Sequence, residues 1–289
     1  MTAAAAVAPR AVFLAVAAAV VATMLVWSPS QAAQVALLAP LVAVLGLPHG
    51  ALDVHVASRL WPLSRRRARL AFGLGYLAVA ASVLGLWLVA PAVALGAFLL
   101  YSALHFAGDW RDELPPVARL AAGIAVVTLP AWRFEAEVGA IFAALGAADA
   151  AALLAGAMHA LQPWVALAVI AAAVAERRAG TTAELVGLTA LAAAAPPLVY
   201  FAVYFCGLHS LRHFVATLAQ LGLAARAGIA AAVPLSALTL VFAGGAAALL
   251  LERGIALEVA ALEVVFIGLA ALAVPHMVLV ERFWTRREA

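Results

Sequence analysis

The chain has 289 residues, of which 68% are hydrophobic and only 11% are charged, and its mean hydropathy is +1.12. Soluble domains carry roughly 25% charged residues, so this composition excludes an ordinary soluble protein. The net charge is +3 and every basic residue is arginine, mostly in short loops beside apolar segments; this pattern is typical of membrane topology signals and excludes a nucleic-acid-binding face.

The first apolar segment, 11–27, follows Arg10 and precedes the polar stretch SPSQAAQ. Residues 1–33 are therefore either a first span or a signal-like segment, and the length of the apolar run favours a retained helix. The second segment, 34–57, is interrupted by GLPHG and leads into the most basic loop of the chain, around 59–69. The positive-inside rule predicts that this loop is cytoplasmic.

Further apolar segments follow in order, and we expect spans at 69–90, 92–108, 116–132, 150–175, 183–195, 197–221, 228–251 and 257–281, with an interfacial segment at 136–147. A span needs about 20 apolar residues, and 183–195 is shorter than that. The sequence thus predicts an all-α, polytopic integral membrane helical bundle with about 8–10 transmembrane helices. We expect one transmembrane domain over 1–289, multi-pass in the cell (cytoplasmic) membrane.

Ionisable side chains at membrane depth are costly and mark functional sites. Five of the seven histidines fall there, in the cytoplasmic halves of the predicted spans: His49, His105, His209, His213 and His276. The other two histidines, His55 and His159, lie near the ends of spans and are interpreted as interfacial or structural. Similar depth in four separate helices predicts one cluster in the cytoplasmic half of the bilayer.

Three pairs share a spacing of four residues, which places both side chains on one helix face: His49 with Asp53, His105 with Asp109, and His209 with His213. The histidines His49, His105, His209 and His213 are predicted to bind one metal ion, for which iron, copper and zinc are all compatible. Asp53 and Asp109 are candidates for hydrogen bonds that orient the rings, although Asp109 could equally be solvated or paired with an arginine. His276 is interpreted as a supporting residue or an interhelical hydrogen-bonding group.

Aromatic residues surround the predicted ligands in their helices. Tyr101, Phe106, Tyr204 and Phe205 are predicted to line a hydrophobic tunnel. Such a lining suits a long lipophilic substrate that enters from the bilayer.

Four motifs resemble the Brp/Blh group of bacterial and archaeal membrane proteins, in the family's order and over nearly the whole chain: PHGALD at 48–53, HFAGD at 105–109, HSLRH at 209–213 and PHM near the C-terminus. The resemblance implies a non-haem Fe(II) dioxygenase that cleaves the central 15,15' double bond of beta-carotene with O2 and gives two retinal molecules. It implies iron ligands at His49, His105, His209 and His213, with no catalytic residue separate from the metal centre. The implied partners are beta-carotene, O2 and membrane lipid, with hand-over of retinal to a rhodopsin.

The sequence leaves two other interpretations open. One is another histidine-cluster membrane oxidase of the desaturase or hydroxylase type, although such sites usually use more than the seven histidines present. The other is a non-enzymatic membrane protein that binds haem or a metal, although haem ligation by two histidines would leave the other histidines unexplained.

Overall fold

The computed structural model describes residues 3–176 and 178–288, which contain fifteen α-helices and no strand. The helices are α1 (Ala3–Met24), α2 (Gln31–Leu41), α3 (Leu47–Gly50), α4 (Asp53–Leu60), α5 (Arg66–Val89), α6 (Pro91–Ala107), α7 (Pro116–Thr128), α8 (Pro130–Phe142), α9 (Ala148–Ala160), α10 (Gln162–Glu176), α11 (Ala179–Ala194), α12 (Pro197–Tyr204), α13 (Leu211–Leu221), α14 (Ala225–Glu252) and α15 (Leu257–Glu288). One-turn π-helical segments lie at Val42–Gly46, Ala143–Ala147 and Phe205–Ser210, and a 3-10 turn at Gly108–Trp110.

Among the described residues, seven helical stretches are long and apolar enough to cross a membrane: Gln31–Leu60, Arg66–Val89, Pro91–Trp110, Pro130–Ala172, Pro197–Leu221, Ala225–Glu252 and Leu257–Arg282. Three shorter apolar helices accompany them, at Ala8–Met24, Pro116–Thr128 and Ala179–Ala194. The predicted all-α polytopic membrane bundle is confirmed. The seven long helices alone are fewer than the expected 8–10 spans, and the long and short helices of the described residues together make ten.

Proline residues set several helix boundaries. Pro91, Pro116, Pro130 and Pro197 are the first residues of α6, α7, α8 and α12. Proline fits this position because the first helical residues have no intrahelical partner for their N–H groups and because its φ angle is already helical. The predicted span 116–132 is therefore wrong at its end, since α7 stops at Thr128 and a new helix starts at Pro130.

The 43 residues of Pro130–Ala172 reverse direction instead of crossing once. At 1.5 Å per residue a straight helix of this length would measure about 65 Å, twice the hydrocarbon thickness of about 30 Å. Gly146 has a φ of 85°, a left-handed conformation that favours glycine, and α8 packs against α9 on either side of it. The segment predicted to be interfacial, 136–147, contains this reversal.

The N-terminal helix α1 is a packed part of the bundle. Phe13 and Ala17 are buried, and α1 lies against α11, where Gly187 provides room for the Phe13 ring. Whether residues 1–33 stay in the mature chain is still a prediction, although their helix already contributes to the core.

Candidate metal centre and apolar cavity

The structure brings five histidine rings together from distant parts of the chain: His49 in α3, His105 in α6, His209 in the π-helical turn Phe205–Ser210, His213 in α13 and His276 in α15. Ring centroids are 4.5 Å apart for His209 and His213, 4.7 Å for His105 and His209, and 5.2 Å for His49 and His276. Imidazoles that share one metal ion through nitrogens at about 2.1 Å have centroids roughly 4.5 to 6.5 Å apart. These five residues are called the histidine cluster below.

Asp109 holds one side of the histidine cluster. His209 donates from Nδ1 to Asp109 Oδ1 at 3.0 Å, and His213 Nε2 lies 3.3 Å from the same oxygen. Tyr204 donates its hydroxyl to Oδ2 at 2.6 Å. Because Asp109 occupies the 3-10 turn at the end of α6, it reaches the histidines of another helix and not His105, four residues before it.

Asp53 makes a matching arrangement on the other side. His276 donates from Nδ1 to Asp53 Oδ1 at 2.7 Å, and Tyr76 donates its hydroxyl to Oδ2 at 2.9 Å. Asp53 begins α4, and a turn separates this helix from His49 in α3. The carboxylate therefore binds a histidine of the last helix.

A backbone carbonyl orients His49. Its Nδ1 donates to the carbonyl oxygen of Gly46 at 2.5 Å, at the end of a π-helical turn, a feature frequent at functional sites. A Cβ atom on Gly46 would lie 2.8 Å from the Phe205 ring. The glycine thus lets the two π-helical turns, which pack together, approach closely beside the histidine cluster.

Two fully buried ring nitrogens lack a hydrogen-bond partner among the described residues. They are Nε2 of His209 and Nε2 of His276, both buried. Buried polar atoms are nearly always paired, and a neutral imidazole nitrogen is a common metal ligand. Ligand atoms of Asp109, His209 and His213 also lie within 4.8 Å of one another. The residues present therefore fit a divalent first-row metal ion.

Behind Asp109 lies a buried ionic network that joins four parts of the chain. Glu184 accepts from Arg10 Nε at 2.8 Å and from the Trp110 indole at 2.8 Å, and it pairs with Arg212. Arg212 also donates to the backbone carbonyl of Asp109 at 2.8 Å. Arg10 further binds Glu113 at 2.7 Å, so that two arginines balance two glutamates. Mutual pairing is what makes buried charges tolerable.

An apolar cavity adjoins the histidine cluster. It holds about 650 Å³ of empty space, a figure that includes the open space at its mouth. Its lining includes Phe106, Tyr204, Met158 and Phe266. The Phe106 ring lies 4.9 Å from the His209 ring, so a wall residue of the cavity contacts the cluster, whose histidines are not themselves part of the lining.

Two of the four aromatic residues predicted to line a tunnel lie in the wall of this cavity. Phe106 and Tyr204 line the cavity, whereas Tyr101 and Phe205 are not part of its lining. Tyr101 donates to the carbonyl of Val274 in α15 at 3.0 Å, and Phe205 stacks against the His209 ring at 5.5 Å.

Two histidines lie outside the cluster. His55 is exposed on α4, and His159 binds the carbonyl of Ala131 at 3.0 Å. This placement agrees with the interfacial or structural roles expected for them.

Sequence reasoning missed Tyr76 and the buried ionic network. A tyrosine hydroxyl inside an apolar span was the available signal for Tyr76. Glu184 carried a similar signal, as a carboxylate in the short apolar segment 183–195. The hydrogen bonds of Tyr76 and Glu184 join residues between 23 and 196 positions apart in sequence, so no local spacing predicts their partners.

Comparison with known proteins now identifies the family. A family model described as beta-carotene 15,15'-dioxygenase matches residues 40–284, a range that holds all five cluster histidines. A protein of uncultured marine bacterium 66A03 named beta-carotene 15,15'-dioxygenase is 36% identical over 252 residues, covering 83% of this chain and 90% of that protein. No solved structure matches the chain. The chain therefore belongs to the beta-carotene 15,15'-dioxygenase family of enzymes.

Proposed function

We propose that the histidine cluster holds iron(II) and that this enzyme uses O2 to cleave beta-carotene at its central 15,15' double bond. His49, His105, His209 and His213 are the proposed ligands. The observation that carries the proposal is the meeting of these rings beside an apolar cavity, in a chain of this family. A desaturase or haem-binding role is not favoured by the family assignment.

The reaction balances without a further reductant. The C15–C15' double bond breaks, each of its carbons gains one atom of the same O2 molecule, and two aldehydes result, which are two molecules of retinal. When bound, iron(II) supplies the redox chemistry that activates O2. No proton donor or acceptor is needed in the overall reaction, which agrees with a site built of ligands and apolar walls.

The chain's own residues orient the ligands. Asp109 accepts a hydrogen bond from the Nδ1–H group of His209, which fixes the tautomer with Nε2 unprotonated and available to a metal. Tyr204 binds the other carboxylate oxygen and so fixes the plane of Asp109. The Gly46 carbonyl sets the same tautomer in His49.

The cavity supplies the binding surface for the polyene. Its walls are almost wholly apolar, with aromatic rings next to His209. Such walls exclude water, which would otherwise divert reactive intermediates. We expect one half of the carotenoid to lie in this cavity, with the central bond beside the histidine cluster.

The membrane setting follows from the same features. The apolar surface of α14, which includes Val241 and Phe242, is exposed and suits contact with lipid, the reservoir of both carotenoid and product. The basic loop around 65–69 supports the cytoplasmic membrane as the location, with the histidine cluster in its cytoplasmic half. Retinal released into lipid is available to a rhodopsin.

The test is retinal formation in a bacterial host that accumulates beta-carotene. Wild type should bleach the cells and yield retinal, measured by chromatography of extracted pigment, and the purified protein should contain iron. His209→Ala should lose both retinal formation and iron. His159→Ala, a histidine outside the cluster, should behave as wild type. Unchanged pigment in cells that hold folded, iron-loaded wild type would contradict the proposal.

A further inference from the structure

The two aspartates of the site share one pattern of contacts, a tyrosine hydroxyl and a histidine ring, although they lie in different parts of the chain. Each follows a cluster histidine by four residues, after a break in the helix: Asp53 after His49 and Asp109 after His105. Each accepts a tyrosine hydroxyl on one oxygen and a histidine Nδ1 on the other. The histidine that each binds comes from a later part of the chain, His276 for Asp53 and His209 for Asp109.

We infer that His276 is itself a ligand of the metal, held by Tyr76 and Asp53 as His209 is held by Tyr204 and Asp109. This inference rests on the proposed function, since it assigns a further ligand to the same metal centre. It changes the role of His276 from a supporting residue to a metal ligand.

The unpaired nitrogen of His276 points to this role. An interhelical hydrogen bond would use only Nδ1, which already binds Asp53 at 2.7 Å. Nε2 is buried without a hydrogen-bond partner, as is Nε2 of His209, while the whole His276 residue is only 6% exposed. Because the Nδ1 proton is fixed by Asp53, Nε2 carries the lone pair that a metal requires.

The position of the ring agrees with a shared ion. The His276 ring centroid lies 5.2 Å from that of His49 and 5.7 Å from that of His105. These separations fall within the same range as those among the four histidines already proposed as ligands, such as 5.4 Å for His105 and His213. His276 thus closes the cluster from the side of α15.

Cobalt(II) is the probe for the test, because its visible absorption reports on the number and type of its ligands as well as on its affinity. Purified metal-free protein in detergent is titrated with Co²⁺ alone, without carotenoid. The variants are His276→Gln, Asp53→Asn and Tyr76→Phe, with His209→Gln as the reference for loss of a ligand. Tyr101→Phe is the matched control for Tyr76→Phe, since Tyr101 also donates to a carbonyl of α15 but touches neither aspartate in the described contacts.

We expect His276→Gln to change the Co²⁺ spectrum and to lower the Co²⁺ affinity at least 100-fold. Asp53→Asn should lower the affinity by about 10- to 100-fold, the range for residues that orient a ligand, and Tyr76→Phe by less. Tyr101→Phe should leave both readouts unchanged. Asp53→Asn preserves side-chain volume, so it serves as the test if His276→Gln does not elute as a single species from size-exclusion chromatography.

Two outcomes would overturn the inference, and they differ in what else they affect. If His209→Gln loses Co²⁺ while folded His276→Gln and Asp53→Asn keep wild-type affinity and spectrum, His276 is not a ligand and the metal centre stands. If wild type itself binds no Co²⁺, or if His209→Gln binds it as wild type does, the proposed metal centre fails together with this inference.

Discussion

At the residue scale, the cost of polar groups inside a membrane bundle explains why the site is built of histidine with carboxylate. A neutral imidazole carries no net charge into the apolar interior, whereas each aspartate does and must accept several hydrogen bonds there. Asp109 accepts from Tyr204 and His209 with its side chain and from Arg212 with its backbone carbonyl. The carboxylate is thereby stabilised and the ring it binds is fixed.

The cavity gives a prediction at the level of one side chain. Met158 is buried and lines the cavity, and a larger rigid ring there would occupy space that the polyene needs. We expect Met158→Trp to lower retinal formation at least tenfold while the iron content of the purified protein stays at the wild-type level. Retinal is measured after a fixed time with beta-carotene in detergent micelles.

Leu153→Trp is the control for this change, because Leu153 lies on the same helix, α9, but is 75% exposed. It should form retinal at the wild-type rate. A Met158→Trp protein that is monodisperse and fully active would show that the polyene binds elsewhere.

Single residues also show the limit of sequence reasoning. The histidines could be found because each carries a polar group into an apolar segment, but their pairing could not be predicted from a spacing of four. Asp53 and His276 are 223 residues apart, and only the packing of α15 against α4 and α5 brings them together. Their contact depends on tertiary structure that no local pattern encodes.

At the scale of elements, the close packing of α6 and α7 fixes the position of His105. A Cβ atom on Gly123 of α7 would lie 2.1 Å from the carbonyl oxygen of Ala103 and 2.7 Å from the amide nitrogen of Ala107. Both contacts are to backbone, which cannot rotate away as a side chain can. His105 sits between these two residues of α6.

Gly123→Ala should therefore displace α6 and with it the ring of His105. We expect bound iron to fall at least tenfold and the midpoint of thermal unfolding in detergent to fall by several degrees, as overpacking costs about 1–3 kcal/mol. Metal analysis and unfolding followed by circular dichroism measure these two effects.

Gly96→Ala in α6 is the matched control. No atom lies within 4 Å of a Cβ built at this glycine, and alanine is the better helix former by about 1 kcal/mol. Its unfolding midpoint should equal or exceed that of wild type. Equal iron content in Gly123→Ala and wild type would mean that the helix contact does not position the ligand.

Helix boundaries were predictable where proline or a basic loop marked them, as at Pro91 and Pro197. The three π-helical turns were not predictable, because their extra residue per turn depends on what packs against the helix and not on local propensity. One of them, Phe205–Ser210, contains His209. The sequence did predict a boundary next to Gly146, between the segments 136–147 and 150–175, but not the left-handed conformation of this glycine that reverses the chain.

At the scale of the whole molecule, the buried ionic network connects the N-terminal helix with the site. Arg10 of α1 and Arg212 of α13 both bind Glu184 of α11, and Arg212 reaches the backbone of Asp109. Removal of one charge leaves the others buried and incompletely paired, which costs about 3–5 kcal/mol in a fully buried pair. The network thus makes distant helices depend on one another.

We expect Glu184→Gln to lower the midpoint of thermal unfolding in detergent markedly, by more than five degrees. Glu281→Gln is the control, because Glu281 also pairs with an arginine, Arg111, but its side chain is 62% exposed and exposed pairs contribute only about 0–1 kcal/mol. Similar midpoints for the two variants would show that the network does not stabilise the bundle.

The fold class could be predicted from composition alone, since the mean hydropathy of the chain leaves no alternative to a membrane bundle. Composition alone does not fix the number of crossings, because the short helices at 116–128 and 179–194 are apolar yet below the length of an ordinary span. The site required both the sequence and the structure, because the histidines can be identified in the sequence but their shared location is seen only in the fold.

The stoichiometry of the reaction in purified protein distinguishes central cleavage of beta-carotene from the other possible activities. Wild type loaded with iron(II) is supplied with beta-carotene in detergent micelles under air, and substrate and products are quantified by chromatography, alongside a sample stripped of metal by a chelator. The proposed function predicts two retinal molecules for each beta-carotene consumed, and no consumption in the stripped sample until iron(II) is restored. Beta-carotene left intact by monodisperse, iron-loaded protein, or cut into two fragments of unequal length, would contradict it.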